Sequence, residues 1–342
     1  MTSIFIFISG AALLVYSAER LIECLVAASR SLRISVFLLA IIFTGIEFDD
    51  IVLGVALNLE GLQGVALGLV LGTAVSFSGI VLALGAIFTP TEAQIPRDYI
   101  AIFAAAPLIM VVFALAAPIA AVEGTVLIAV FVVYVAVREF RRETPTLRNL
   151  EVYEELAESD PGSGPRDPVR ETAVSTMMPF DEPRKLTGWS NLGLAVLALA
   201  GILIGAATMS SGTEGILETY GIEGTVFGAT IVTAVLAIED LFLTVQPIRK
   251  GVPEIGIGNV IGSLVFSVTG KLGIVVLAGG SIAVGSNVLR WHLPALVVVT
   301  GLAAYFLSTG RLKRWHGYAL LGFYIAYWAV SFLVYGGAPI ED

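Results

Sequence analysis

Long apolar runs recur along the whole chain and alternate with short stretches rich in charged residues, Gly and Pro. A helix that crosses a bilayer needs about 20 predominantly apolar residues, and the runs fit that length. The pattern predicts ten transmembrane helices, with approximate bounds 4–27, 34–58, 63–88, 99–118, 122–140, 188–208, 223–247, 255–280, 292–309 and 315–336. The first run lacks a basic leader and is too long for a signal peptide, so we interpret it as a helix of the protein.

Composition agrees with this pattern. Hydrophobic residues make up 57% of the 342 residues, charged residues make up 14%, and the mean hydropathy is +0.90. These values are typical of a polytopic membrane protein and far from those of a soluble domain. No segment outside the predicted spans is long enough to fold independently, so we expect no enzyme activity, no cofactor and no nucleic-acid partner. The single cysteine, Cys24, excludes a disulfide framework and a cysteine-ligated metal site.

The positions of Lys and Arg predict the orientation. Cytoplasmic loops of membrane proteins are enriched in these residues. If segment 141–187 is cytoplasmic, then 16 of the 19 Lys and Arg residues fall in inner loops, and only Arg290 falls in an outer loop. We therefore expect a multi-pass protein of the cell membrane with both termini extracellular.

Segment 141–187 also divides the chain. It is acidic and contains the run Pro161-Gly162-Ser163-Gly164-Pro165, a composition typical of a connector. The predicted domains are a first five-helix repeat at 1–140, an acidic cytoplasmic linker at 141–187 and a second five-helix repeat at 188–342. An odd number of helices in each half makes the second repeat enter the membrane from the opposite face. This plan of inverted repeats is common among secondary transporters, whose ion site lies between the repeats.

Two predicted spans carry clustered carboxylates at matching positions. Asp50 and Thr73 are 23 residues apart, as are Asp240 and Ser263, and a constant offset of 190 relates the two halves. A charge at the bilayer centre costs at least about 2.5 kcal/mol, so the repeated acids predict cation binding. Oxygen ligands without His or Cys are typical of hard cations such as Na⁺, Ca²⁺ or Mg²⁺. The candidate ligands are Glu47, Asp49, Asp50, Thr73, Glu239, Asp240 and Ser263.

The same segments resemble the calcium/cation antiporter superfamily, which includes the sodium/calcium exchangers. Each inverted repeat of that family carries Gly-Thr-Ser-x-Pro-Glu on one helix and Gly-Asn-x-x-Gly-Ser on the next. Residues 258–263 match the second motif in full, and residues 68–73 match it loosely. The resemblance places Asp50 and Asp240 at the family's glutamates, and it implies ten helices with an extracellular N-terminus.

Lys271 is an anomaly of the second half. It lies deep in the eighth predicted helix, where its counterpart in the first half is Val81. A buried ammonium must pair with an acid or lose its charge. Two interpretations remain open: a static counterion of one of the five acids, or a group that replaces a coupling cation.

The sequence thus predicts an antiporter that exchanges Ca²⁺ or a related divalent cation against Na⁺ or H⁺ by alternating access. Two alternatives are a cation/proton antiporter that does not transport Ca²⁺ and a passive cation channel. An intramembrane aspartic protease is disfavoured because its Gly-x-Gly-Asp signature is absent. The expected partners are inorganic cations and the lipid bilayer, and the oligomeric state stays open.

Overall fold

A computed structural model describes residues 2–32, 47–92, 95–116, 118–141, 188–249 and 253–336. Nearly all of these residues are helical. In chain order the helices are α1 (Thr2–Leu32), α2 (Phe48–Leu59), α3 (Gln63–Ser76, continued by Phe77–Val81 and Leu82–Phe88), α4 (Arg97–Leu115), α5 (Ala121–Arg141), α6 (Gly188–Tyr220), α7 (Gly224–Phe227, continued by Gly228–Val232 and Thr233–Arg249), α8 (Pro253–Phe266, continued by Ser267–Lys271 and Leu272–Gly279), α9 (Val288–His292, continued by Leu293–Ser308) and α10 (Arg314–Tyr335).

Within the described residues, seven helices are long and apolar enough to cross a membrane: α1, α3, α4, α6, α8, α9 and α10. Shorter apolar segments lie in α5 (Ala121–Val137) and α7 (Gly224–Ile238). The predicted all-α, multi-pass architecture is therefore confirmed. The predicted linker and the first part of the predicted span 34–58 lie outside the described residues.

Helices α3 and α8 form the centre of the molecule. In α3, 94% of the most apolar window is buried, and in α8 the value is 83%, whereas 28–39% is buried in α1, α4, α6 and α10. A helix that is apolar on every face can be covered by protein on every face, and both central helices have that composition. The outer helices keep many large apolar side chains on their outward surfaces, which is the surface that lipid would cover.

Close backbone contact fixes how α3 crosses α7. A Cβ atom on Gly68 would clash with the Thr225 carbonyl oxygen, and a Cβ atom on Gly228 would clash with the Val65 carbonyl oxygen. The crossing is therefore reciprocal, and each helix supplies one glycine to it. The Gly68/Gly72 spacing thus permits the close approach of the two helices, since Gly72 also meets the backbone of Ala229.

Among the described residues, four helices contain a π-helical turn. In such a turn each backbone hydrogen bond joins residues five apart, instead of four apart as in an α-helix. These turns are Phe77–Val81 in α3, Gly228–Val232 in α7, Ser267–Lys271 in α8 and Val288–His292 in α9. The turns in α3 and α8 start at residues 77 and 267, which differ by 190. Lys271 is the last residue of the turn in α8.

Short strand pairs join loops at the ends of the helices. Strand β1 (Thr91–Glu92) pairs antiparallel with β2 (Arg311–Leu312), so the loop after α3 contacts the loop before α10. An isolated antiparallel bridge joins Ile119 to Ile282, which connects the loop before α5 to the loop after α8.

Candidate functional site

The first acidic cluster lies at the N-terminus of α2. Glu47 is the residue before the helix, and Asp49 and Asp50 occupy its first turn. Carboxylates are stabilised at this end of a helix, because the free backbone N–H groups and the helix dipole are positive there. Asp50 is 3% exposed, and Glu47 and Asp49 are partly buried. The local fold therefore gathers three acids at one helix end.

The length of α2 sets the depth of this cluster. The helix has 12 residues, and at 1.5 Å per residue it rises about 18 Å from Phe48 to Leu59. Leu59 is exposed and is followed by an exposed turn at Glu60 and Gly61. The hydrocarbon core of a bilayer is about 30 Å thick, so a helix of this length with Leu59 at the bilayer surface places the acids near the middle of the bilayer. Water is scarce at that depth, and the acids need protein partners or a cation.

Lys271 of α8 supplies that partner. Its Nζ atom donates to Glu47 Oε2 and, at 2.5 Å, to Asp50 Oδ2. The lysine side chain is fully buried, and the paired carboxylate side chains are 9% and 4% exposed. Two acids of the first half therefore share one positive charge contributed by the second half. Lys271 is therefore the counterion of these two acids in the described structure.

Asn58 fixes the register that brings α2 and α8 together. Its Nδ2 atom donates to the Val275 carbonyl at 3.1 Å and to the Gly280 carbonyl at 2.9 Å, at the end of α8. The two helices therefore run parallel and end side by side. Asn58 lies eight residues after Asp50, and Gly279 lies eight residues after Lys271, so the acid and the lysine fall at the same level. Sequence reasoning missed Asn58, although a lone amide in an apolar helix is a usable signal.

Thr73 of α3 completes the first half of the site. Its Oγ1 atom lies 2.9 Å from Asp50 Oδ2 and 2.8 Å from the Leu69 carbonyl oxygen. A hydroxyl carries one hydrogen, so it can donate to only one of these acceptors at a time. When the hydrogen points to Leu69, the lone pairs of Oγ1 become available to a cation beside Asp50. The predicted juxtaposition of Thr73 with Asp50 is present.

Glu47 retains unused acceptor capacity. Ser267 Oγ donates to its Oε2 atom at 3.4 Å, whereas the buried Oε1 atom has no hydrogen-bond partner. Unsatisfied buried carboxylate oxygens are costly, and they are a natural contact for a bound cation. Ser267 was not among the predicted ligands. The signal for it was its position four residues after Ser263 and one turn before Lys271.

The second half of the predicted site is described in part. Asp240 lies in α7 and is partly buried, Ser263 is buried in α8, and the side chain of Glu239 lies outside the description. In α8, Asn259 Nδ2 donates to Thr244 Oγ1 of α7 at 3.2 Å, which joins the two helices on either side of the second acidic cluster.

Among the described side chains, no group of three His, Cys, Asp or Glu residues is arranged to hold a metal ion. Glu47 and Asp50 instead converge on the Lys271 ammonium. An ammonium that binds two carboxylates removes the need to bring a third acid to them.

Comparison with known proteins identifies the family. The family model described as "Sodium/calcium exchanger protein" matches residues 2–139 and 190–333, which is most of the chain. The chain belongs to the sodium/calcium exchanger family. The family is one of transporters that carry inorganic cations, and its two matched segments flank the predicted linker.

Individual relatives agree with this family. The sodium/calcium exchanger MaX1 of Methanosarcina acetivorans is 34% identical over 140 residues, which cover 41% of this chain and 40% of that exchanger. An uncharacterised membrane protein of Methanocaldococcus jannaschii is 23% identical over 333 residues, which cover 93% of this chain and 94% of that protein.

The fold also matches solved structures. The sodium-calcium exchanger NCX_Mj, soaked with 2.5 mM Na⁺ and 10 mM Sr²⁺, superposes with a TM-score of 0.56 at 20% identity and covers 96% of this chain and 98% of its own. At this identity the match shows the fold. This exchanger-family chain is therefore a multi-pass, all-α membrane protein.

Proposed function

We propose that this chain exchanges Ca²⁺ or a related divalent cation against Na⁺ or H⁺ by alternating access. The observation that carries the proposal is a buried cluster in which Glu47 and Asp50 bind the Lys271 ammonium and Thr73 Oγ1 donates to Asp50. Buried carboxylates that already hold an ammonium form a site whose chemistry selects cations. Membership of the exchanger family supplies the reaction class.

The proposed ligands come from both halves of the chain. Asp50 and Asp240 are the central ligands, with Glu47, Asp49 and Glu239 as further ligands or proton carriers and Thr73 and Ser263 as oxygen donors. All of these groups bind through oxygen, which suits hard cations. The unused Oε1 atom of Glu47 and the two-acceptor geometry of Thr73 support such a role in the first half.

The proposed architecture has ten transmembrane helices in two inverted five-helix repeats. Contacts that recur between corresponding helices of the two halves support it. Gly317 of α10 packs against the Ala83 carbonyl of α3, and Gly273 of α8 packs against the Gly124 carbonyl of α5. Adding 190 to 83 gives 273, and adding 190 to 124 gives 314, three residues before 317. The strand pair and the isolated bridge support the same exchange of partners, because each joins the loop after a central helix to a loop of the other half.

The proposed orientation places both termini outside and segment 141–187 in the cytoplasm, because the inner loops then hold 16 of the 19 Lys and Arg residues. A tag added at either terminus of the chain expressed in cells is expected to react with an impermeant label without permeabilisation. Labelling only after permeabilisation would reverse the orientation.

Uptake into proteoliposomes tests the function. Radioactive Ca²⁺ is expected to enter against its gradient when an outward Na⁺ or H⁺ gradient is imposed. Asp50→Asn and Asp240→Asn are each expected to abolish this uptake, because each replaces a carboxylate with a neutral amide. Asp98→Asn makes the same chemical change at an exposed position of α4 and serves as the control.

Two results would contradict the proposal. Normal exchange by both Asp50→Asn and Asp240→Asn would remove these acids from the mechanism. Flux that only ever runs down the gradient of the measured ion, whichever way the second gradient points, would identify a passive channel instead.

A further inference from the structure

Lys271 places a permanent positive charge within the acidic site. Lys271 is the only described cation that contacts Glu47 and Asp50, and its ammonium lies where the proposed function requires a transported cation. The first-half cluster therefore contains three acids, and two of them, Glu47 and Asp50, bind one tethered positive charge. Its net charge is smaller than its acids alone would give.

The surroundings of Lys271 hold the ammonium in this place. The residue is fully buried in the π turn of α8, and its neighbours in that turn, Val268, Thr269 and Gly270, are buried as well. An ammonium that left the two carboxylates would enter a region lined by apolar side chains and satisfied hydroxyls. Moving an unpaired charge into such surroundings is strongly unfavourable, so the lysine stays with its acids.

The cluster nevertheless has room for one more cation contact. Glu47 Oε1 is buried without a hydrogen-bond partner in the described structure, and Thr73 Oγ1 can turn its hydrogen to Leu69. The first oxygen belongs to Glu47, and the second lies beside Asp50. Lys271 thus neutralises part of the negative charge of the cluster. The remaining negative charge is available to bind mobile cations.

We infer that Lys271 acts as a built-in cation that occupies one cation position of the acidic site throughout the transport cycle. The inference rests on the proposed antiport function. The number of coupling cations per divalent cation changes as a consequence, because the protein does not have to transport a monovalent cation that the lysine replaces. The exchanger moves one fewer coupling cation for each divalent cation than the same acids would need without the lysine.

Reversal measurements on the full-length protein in proteoliposomes test this inference. With Na⁺ and H⁺ gradients set independently, the gradient at which net Ca²⁺ flux vanishes gives the number of coupling cations per Ca²⁺. Lys271→Met removes the charge and keeps the side-chain bulk, and we expect the number to rise by about one. Lys271→Arg keeps the charge and is expected to retain the wild-type number.

Glu47→Gln provides an independent test if Lys271→Met does not fold. It removes one negative charge while Lys271 stays paired with Asp50, and it is expected to shift the number by about one in the opposite direction. An unchanged number in whichever of these two variants transports overturns the inference, since a purely structural lysine would alter stability without altering stoichiometry. Wild-type protein that shows no coupled flux would instead refute the proposed function.

Discussion

Neutralising Asp50 tests whether the first-half cluster is one electrostatic unit. Asp50→Asn keeps the shape of the side chain but leaves the buried Lys271 ammonium with Glu47 as its remaining carboxylate contact in the described structure. Removing one partner of a buried ion pair costs about 3–5 kcal/mol, because the other charge stays buried and poorly compensated. The loss of the Thr73 hydrogen bond to a charged acceptor contributes to the same total. Because Glu47 still compensates the ammonium, we expect a smaller loss of about 1–3 kcal/mol in the free energy of unfolding.

A double-mutant cycle separates this effect from general damage. Thermal unfolding in detergent, in buffer free of Na⁺ and Ca²⁺, is measured for the wild type, Asp50→Asn, Lys271→Met and the double variant. Lys271→Met is expected to cost less in the Asp50→Asn background than in the wild type, because one of the ammonium's two partners is already gone. Groups in contact couple by about 0.5–3 kcal/mol. Costs that add to within about 0.5 kcal/mol would refute the shared cluster.

Three other substitutions test the surroundings of the site. Thr73→Val is expected to weaken cation binding about tenfold or more in a titration, because it removes an oxygen beside Asp50, whereas Thr73→Ser retains it. Gly68→Ala is expected to lower the thermal stability by about 1–3 kcal/mol, because its methyl group meets the Thr225 carbonyl, and Gly301→Ala, which meets no described atom, is expected to be neutral. Asn58→Leu is expected to lower the free energy of unfolding by about 1–3 kcal/mol and to reduce transport, because it removes the hydrogen bonds to the end of α8. Full activity of this variant would show that the register does not depend on Asn58.

Hydropathy predicted the central helices well because their signal is uniform. The span 63–88 coincides with α3, and 255–280 differs from α8 by two residues at its start and one at its end. Hydropathy underestimated the length of α6, because the predicted span ends at 208 and the helix continues to Tyr220. The additional turns contain Ser210, Gly212 and Thr213, which are buried against the protein and therefore need no apolar side chain. Contact with α1, where Gly212 meets Phe7, stabilises these turns although their sequence is not strongly apolar.

The acids of the site were predicted from their repetition, but their pairing was not. Lys271 is 221 residues from Asp50 along the chain, and no sequence pattern indicates which acid it contacts. That choice depends on the level at which α2 and α8 lie side by side, which the Asn58 hydrogen bonds determine. A single side chain thus decides a pairing that no local pattern encodes.

The π turns in the two central helices also bear on the history of the chain. A π turn arises when one residue is inserted into an α-helix, and the insertion rotates everything beyond it by about 100°. The turns at Phe77–Val81 and Ser267–Lys271 occupy equivalent positions with no gap between the halves. Under the proposed duplication, the insertion therefore preceded the duplication, and the ancestral half already carried it. The two turns now differ at their last residue, which is Val81 in the first half and Lys271 in the second.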